Sequence, residues 1–340
     1  MTTQTSPSEI ELTDKQLLNI IQRAFPLVRR PYENIGEELG ISEDDVIRRI
    51  GSLKDKNIVR QISAIFDTRR LGYKTTLVAM RIPDETLDAG AQIINEHPGV
   101  SHNYERNGHF NIWFTVAVPP DEDLEETVAA MAERTAADSY RLMPTIKFFK
   151  IGVNFDMIKE EGASKNYFSP DGLNEDGKGG WNKAQEITEA DKEVIRELQE
   201  DVPLEPEPFR PMAERIGITL DELFEAASSL EKRGLMRRFS AVLHHRRAGF
   251  SANAMVVWKV PSERSVEVGN KMAESKWVTH CYERPTFPDW DYTHFTMIHT
   301  TTEKQCEEVA KEISEATEID DYKLLYSTRE FKKTRVRYFV

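Results

Sequence analysis

The sequence VSHNYER at residues 100–106 returns as VTHCYER at residues 278–284. A second block repeats as well, because RQISA at 60–64 matches RRFSA at 237–241. The two copies stay in register apart from a one-residue insertion between these blocks. Two similar halves in register predict an internal pseudo-dimer, in which two copies of one structural unit are fused in a single chain.

The repeated motif also carries chemistry. Each copy brings an imidazole, a phenol and a guanidinium together within a few residues, at His102, Tyr104 and Arg106 and again at 280–284. These groups bind and protonate carboxylates, and a plain DNA-binding repressor does not need them. The sequence therefore predicts a chemical site in addition to a repeated fold.

Composition narrows the class of protein. The chain has 340 residues, with 45 basic and 58 acidic side chains and a net charge of −13, which suits a polyanion-binding surface poorly. No stretch approaches the roughly 20 apolar residues of a membrane span, and residues 1–4 do not resemble a signal sequence. We expect a cytoplasmic protein without a membrane partner. Cys281 and Cys306 are the only cysteines, so neither a disulfide framework nor a thiolate metal cluster is supported.

Each half begins with the pattern of a helix-turn-helix. Residues 32–50 predict a helix, a glycine-containing turn and a second helix capped by Ser42, and residues 212–226 repeat the pattern. The second helices begin with acidic residues at 43–45 and 221–222, where a recognition helix needs groups that bind phosphates and bases. Both units are therefore interpreted as structural remnants that do not bind nucleic acid.

Strands and helices alternate after each helix-turn-helix. Strand-like runs at 75–82 and 254–260 begin a β-α-β-β-α-β order that is typical of a ferredoxin-like domain. The fold class is thus α+β, a tandem repeat of a winged helix-turn-helix and a ferredoxin-like domain that forms an internal pseudo-dimer. The predicted divisions are helix-turn-helix domains at 11–65 and 186–242, ferredoxin-like domains at 66–158 and 243–340, and a glycine-containing linker at 159–185.

This arrangement resembles the leucine-responsive (Lrp/AsnC) regulator family over most of the chain. SHNYERN at 101–107 with 110–115, and HCYERP at 280–285 with 289–290 and 294–299, resemble the two subunits of siroheme decarboxylase, here fused. The resemblance implies an enzymatic branch of the regulator fold that removes CO2 from the two acetate side chains of siroheme. Its product, didecarboxysiroheme, enters the alternative haem route or d-type haem synthesis. The implied partners are siroheme and its decarboxylated products, and the implied cofactor requirement is none beyond the iron of the substrate.

Loss of CO2 from a pyrrole acetate leaves carbanion character on a methylene, which an acid must protonate. Four residues are predicted to supply or orient that proton: His102, Tyr104, His280 and Tyr282. An arginine on the departing carboxylate would stabilise the ground state, so the arginines are predicted to anchor the other carboxylates. The predicted substrate-binding residues are Arg60, Arg106, Arg237, Arg238, Arg246 and Arg284, with Trp290 as an apolar wall.

His245 stands where the resemblance implies a histidine of the second subunit, while the first half has Asp67 and Thr68 at the positions matching His244 and His245. Its imidazole is predicted to ligate the siroheme iron or to act as an acid, and the alternative is a surface histidine beside a turn. This asymmetry predicts that the second half, with His245 and His280, holds the working pocket.

Other interpretations stay open at the level of sequence. The chain is alternatively an Lrp/AsnC-type transcription regulator, or a haem or tetrapyrrole sensor without turnover. The basic run at 332–337 suits the binding of propionates or nucleic acid, and equally a solvated edge strand. Association of the pseudo-dimer into a larger homo-oligomer is likewise left open.

Overall fold

A computed structural model describes residues 10–151, 154–156, 161–163, 183–243 and 252–340. In the first half the elements are α1 (Leu12–Arg23), α2 (Pro31–Leu39), α3 (Glu43–Asp55), β1 (Val59–Phe66), β2 (Lys74–Arg81), α4 (Leu87–Glu96), β3 (Val100–Arg106), β4 (Ile112–Val118), α5 (Leu124–Arg134), β5 (Ser139–Met143), β6 (Lys147–Ile151), β7 (Asn154–Asp156) and β8 (Glu161–Ala163). In the second half they are α6 (Glu189–Leu198), α7 (Arg210–Arg215), α8 (Leu220–Lys232), β9 (Met236–Leu243), β10 (Ala252–Trp258), α9 (Ser265–Glu274), β11 (Val278–Glu283), β12 (His294–Thr300), α10 (Glu303–Thr317) and β13 (Tyr322–Lys333).

Both helix-turn-helix units form where the sequence predicts them. Gly40 ends α2 in the left-handed conformation at φ 69°, which a residue without Cβ adopts readily. The Ser42 hydroxyl then caps α3 by accepting a hydrogen bond from the Asp45 amide at 3.2 Å. In the second copy Thr219 caps α8 through a reciprocal capping box with Glu222. These caps satisfy amides at the helix starts that would otherwise have no partner.

The strand that follows each helix-turn-helix pairs across the two halves. β1 runs antiparallel to β9 as a two-stranded ribbon, with Ser63 opposite Ser240 near its centre. The predicted wing is therefore shared between the two units instead of being formed within each one. A single hydrophobic cluster, including Leu17, Ile50 and Leu230, spans both units and the ribbon. The two units consequently form one layer of the molecule.

The ferredoxin-like prediction is confirmed in each half. Within the nine-stranded sheet the first half contributes the neighbouring strands β5-β2-β4-β3, and the second contributes β13-β10-β12-β11. With the strands of each domain numbered in chain order, both read 4-1-3-2. One hydrophobic cluster packs α4 and α5 against the first set, and another packs α9 and α10 against the second.

The last strand of each half crosses into the other half. β13 pairs with β10 of its own half on one side and with β3 of the first half on the other. Correspondingly, β5 pairs with β2, and β6, which follows shortly along the chain, pairs with β11. The two halves therefore cover each other's strand edges, which protects backbone donors and acceptors that would otherwise be exposed.

An aromatic core fills the space where the two sets of strands meet. Trp113 and Trp290 contribute to it from opposite halves, with ring centroids 5.3 Å apart, and Phe110 and Phe295 pack against both indoles. The Trp290 indole N–H donates to the Tyr292 carbonyl at 3.1 Å. Trp290 is thus a buried packing residue at the contact between the halves. Its role as a wall of the substrate pocket stays a prediction.

No helix within the described ranges is both long enough and apolar enough to cross a membrane. Cys281 and Cys306 are separate, buried thiols.

Candidate active site

The two His-x-Tyr-Glu-Arg motifs lie on β3 and β11. Alternation along β3 places His102, Tyr104 and Arg106 on one face, while Asn103 points the other way and donates to the Ala91 carbonyl of α4. In β11, Cys281 likewise points toward the Gly269 carbonyl of α9. The motif side chains therefore face the interior between the halves, and they run from the aromatic core toward the β1–β9 ribbon.

Arg106 and Arg284 form a reciprocal contact between the halves. The Arg106 guanidinium donates to the carbonyl of Leu325 at 2.8 Å, and the Arg284 guanidinium donates to the carbonyl of Met143. Each therefore bonds the final strand of the opposite half. Both side chains are buried, at 6% and 9% exposure. These bonds give both arginines a structural role, and the Nε atom of each is buried without a hydrogen-bond partner among the described residues. Their predicted role in anchoring carboxylates stays a prediction.

His102 lines a cavity that is called the first pocket below, because it belongs to the first copy of the motif. This first pocket has a volume of about 480 Å³, and its lining includes Arg60, Ser101, His102 and Arg335. The Ser101 hydroxyl and the His102 Nδ1 are 2.9 Å apart, which fixes the orientation of the ring. Burial, together with the positive charges of Lys333 and Arg60, lowers the pKa of His102 to about 4. The imidazole is therefore neutral at pH 7 in the unliganded protein.

The region around His280, called the His280 region below, is the counterpart of the first pocket in the second copy of the motif, and its imidazole is buried. The Thr279 hydroxyl is 3.0 Å from Nδ1 of His280 and 3.0 Å from Nδ1 of His299, so it links the two imidazoles. Burial and the charges of Arg237 and Arg284 lower the pKa of His280 to about 4. Burial and the neighbouring His280 lower the pKa of His299 to about 3. The second half thus carries an additional imidazole in this region.

The arginine closest in role to Arg60 in the His280 region has a protein partner. Arg237 forms an ion pair with Asp67 at 2.6 Å. Because Asp67 places a carboxylate beside the arginine predicted to hold a carboxylate, the His280 region is electrostatically less suited to a polyanionic ligand.

The cations of the first pocket are arranged differently. In the described part of the chain, no carboxylate forms an ion pair with Arg60 or Arg335. Burial lowers the pKa of Arg60 and outweighs the attraction of the nearby Glu330. Burial and the positive charges of Arg238 and Arg60 lower the pKa of Arg335 to about 10. Several buried cations close to one imidazole suit an anionic ligand.

Two family models match the chain twice each. The AsnC-like ligand-binding domain matches residues 70–150 and 247–332, and the siroheme decarboxylase NirDL-like helix-turn-helix domain matches residues 14–60 and 191–237. The siroheme decarboxylase of Hydrogenobacter thermophilus is 40% identical over 330 residues, covering 95% of this chain and 94% of that protein. The chain belongs to the siroheme decarboxylase family.

Solved structures of siroheme decarboxylases support the same assignment. The crystal structure of the siroheme decarboxylase NirDL is 36% identical, with a TM-score of 0.74 over 96% of this chain and 94% of that chain. A second crystal structure, of NirDL in complex with an iron-uroporphyrin III analogue, is 35% identical, with a TM-score of 0.73 over 96% of this chain and 95% of that one. The siroheme decarboxylase beta subunit of Methanosarcina barkeri is 49% identical over 151 residues, which are 44% of this chain and 99% of the subunit. A relative that spans one half agrees with the tandem repeat.

A larger groove on the protein lacks the histidines and tyrosines of the repeated motifs. A groove of about 1380 Å³ runs along β2, α5 and β5 and reaches Pro285 and Phe287 of the second half. Its lining includes Arg69, Lys74 and Arg141, but no residue of either His-Tyr motif. The smaller first pocket is therefore the better candidate for the reaction.

Two predicted site residues, His245 and Arg246, lie outside the described residues, as does the adjacent His244. Before them, β9 ends at Leu243, and Leu243 pairs with Val59, the neighbour of Arg60. Among the residues that the structure describes, no group of three histidine, cysteine or acidic side chains is arranged to hold a metal ion.

The sequence does not identify two residues that contribute to these regions. Asp67 forms an ion pair with Arg237 across the halves, and such a distant contact leaves no local signal in the sequence. Arg335 belongs to the basic run at 332–337, which also fits a solvated strand. The position of Arg335 is the signal that could have identified it, because Arg335 lies just beyond Lys333, the last residue of β13.

Proposed function

We propose that this chain removes CO2 from the two acetate side chains of siroheme and releases didecarboxysiroheme. The observation that carries the proposal is the first pocket, whose lining includes His102, Arg60 and Arg335, and neither of these two arginines forms an ion pair with a described carboxylate. Such a pocket suits a ligand with several carboxylates, and siroheme is such a ligand. Membership of the family supports the tetrapyrrole as that ligand.

The charges support the first pocket as the working one, which reverses the preference drawn from the sequence. Asp67 neutralises Arg237 in the His280 region, whereas no described carboxylate pairs with Arg60 in the first pocket.

Each group has a defined task in the proposed reaction. Arg60 and Arg335 hold carboxylates that are not lost, so that the reacting acetate stays unclamped. The bond from the methylene to the carboxylate carbon breaks, CO2 leaves, and the electron pair remains on the methylene carbon, where the macrocycle delocalises it. A proton from His102 or Tyr104 then forms the new C–H bond of a methyl group. His245, or another neutral imidazole, is suited to the siroheme iron.

Neutral His102 must acquire a proton before it acts as an acid. Carboxylates bound beside the ring favour the imidazolium form, because nearby negative charges raise the pKa of a histidine. Substrate binding is therefore proposed to load the proton that the reaction uses. Because His102 gains its proton only when the substrate binds, the empty pocket carries one positive charge fewer.

Anaerobic incubation of the purified protein with siroheme tests the function. We expect a product lighter by two carboxyl groups, with no added organic cofactor, and chromatography with mass spectrometry identifies it. Siroheme that stays unchanged while it is bound to folded protein would favour a tetrapyrrole sensor or carrier and would overturn the enzymatic proposal.

A separate prediction concerns nucleic acid. The first turn of α3 carries Glu43, Asp44 and Asp45, and the Asp45 carboxylate accepts from Arg49 at 2.9 Å, which occupies a cation that would otherwise reach phosphate. We therefore expect affinity for duplex DNA no better than non-specific at physiological salt. Fluorescence anisotropy with genomic fragments measures it, and sequence-selective binding in the nanomolar range would restore the regulator interpretation.

A further inference from the structure

Arg335 lies just after β13, where the chain leaves the sheet and reaches the β1–β9 ribbon. One nitrogen of its guanidinium, Nη1, donates to the Ser63 hydroxyl and to the Ala64 carbonyl, the latter at 3.0 Å. Both acceptors lie near the centre of the ribbon. These two bonds fix the guanidinium at the wall of the first pocket.

The second terminal nitrogen of Arg335 is different. Nη2 is buried and has no hydrogen-bond partner among the described residues. An unsatisfied donor on a buried cation is costly, so such a group normally has an acceptor. Arg335 lines the first pocket, so an acceptor that binds there reaches Nη2 once the guanidinium shifts enough to expose it.

The charged neighbours of Arg335 make an anion the natural acceptor. Arg60 and Arg238 add positive charge nearby, and both lower the pKa of Arg335. The opposing carboxylate, Asp201, already accepts from the Ile62 amide at 2.9 Å and from Lys54 at 2.8 Å. The acidic residue of the pocket lining, Glu200, forms an ion pair with the exposed Arg337.

We propose that Arg335 is a substrate-binding residue that holds a peripheral carboxylate of the tetrapyrrole through Nη2, with Arg60 on the same side of the pocket. The identification of the ligand as a tetrapyrrole rests on the proposed function. The presence of a carboxylate-binding site at Arg335 does not depend on that function. Because Arg335 comes from the second half and Arg60 and His102 come from the first, the site is assembled from both halves.

Arg335→Gln and Arg337→Gln are the matched variants. Arg337 lines the same pocket, but it is exposed and paired with Glu200, so it serves as the control. Siroheme affinity is measured by the change in its absorption spectrum on binding. We expect about a 10- to 100-fold loss for Arg335→Gln, as for removal of a charge-assisted hydrogen bond, and less than a threefold loss for Arg337→Gln. With siroheme whose carboxylates are esterified, Arg335→Gln should bind as the wild type does.

Unchanged siroheme affinity in Arg335→Gln would overturn the inference. An equal loss of affinity for the acid and for the ester would also overturn it, because that result indicates a structural role. Arg335→Lys keeps the charge and a donor for Ala64, so it gives a second variant if the glutamine variant does not fold. It should bind siroheme more tightly than Arg335→Gln and less tightly than the wild type.

A tetrapyrrole-free probe separates this inference from the proposed function. Citrate, a compact polycarboxylate, should raise the melting temperature of the wild type and of Arg337→Gln but not that of Arg335→Gln. Citrate stabilisation that depends on Arg335, without any siroheme turnover, would retain the carboxylate site and reject the decarboxylase proposal. If siroheme is turned over but citrate stabilises all three proteins equally, the decarboxylase proposal is retained and the carboxylate site at Arg335 is rejected.

Discussion

Replacing His102 by alanine is expected to lower siroheme turnover about 10²- to 10⁴-fold, the usual effect of losing a proton donor. His102 is the imidazole of the described chain that shares a cavity with Arg60 and Arg335, and Ser101 holds its Nδ1. Its loss removes the proposed acid without removing the arginines that hold the substrate. The measurement is the single-turnover rate under anaerobic conditions, with siroheme affinity determined separately so that weaker binding is not mistaken for slower chemistry.

His280→Ala is the matched control for this experiment. His280 occupies the same place in the repeated motif, and its pKa is also lowered to about 4, but the nearby Arg237 is paired with Asp67. We expect less than a tenfold loss of turnover. A loss from His280→Ala equal to or greater than that from His102→Ala would place the chemistry in the second half, as the sequence alone predicted.

Acid should destabilise the protein through its buried imidazoles. Burial and neighbouring cations lower the pKa of His280 from 6.5 to about 4 in the folded state. Between those two values the unfolded chain binds a proton that the folded chain does not, so the free energy of unfolding falls as the pH falls. For this one group the loss between pH 7 and pH 4.5 is about 2 kcal/mol.

Urea unfolding of the wild type and of His280→Gln at both pH values measures this contribution. Glutamine does not titrate, so acidification should cost the variant about 2 kcal/mol less than it costs the wild type. Carboxylates also titrate in this range, but they are common to both proteins and their contribution cancels in the difference. Equal losses in the two proteins would show that His280 titrates normally in the folded state.

Local patterns made most of the fold predictable. The Ser42 cap, the Gly40 turn and the alternating strands at 75–82 depend on neighbouring residues, and the sequence shows them directly. The exchange of final strands was not predictable in this way. Glu330 pairs with Tyr104, and Leu325 with Met255, and such distant pairings leave no period in either segment.

The site was predictable in its chemistry and less so in its geometry. The repeat identified His102 and Tyr104, and the structure places His102 at a cavity with Arg60. The sequence repeat does not show that Arg106 donates a hydrogen bond to the carbonyl of Leu325, because the partner is a backbone atom of another strand. It also left Arg335 ambiguous, since a basic run has the same composition whether it faces solvent or a pocket. The role of such a residue depends on the burial of its side chain and on its hydrogen-bond partners, and neither can be read from composition.

The exchanged strands also impose an order on synthesis. The edge of β3 that carries His102 is covered by residues 327–333 of β13, which are near the end of the chain. A growing chain completes all the other strands of the first ferredoxin-like domain long before those residues leave the ribosome, and domains generally begin to fold as they emerge. The β3 edge of the first half therefore stays unpaired until β13 has been synthesised. During that time β3 is the strand of the first half that is most exposed to pairing with a neighbouring chain.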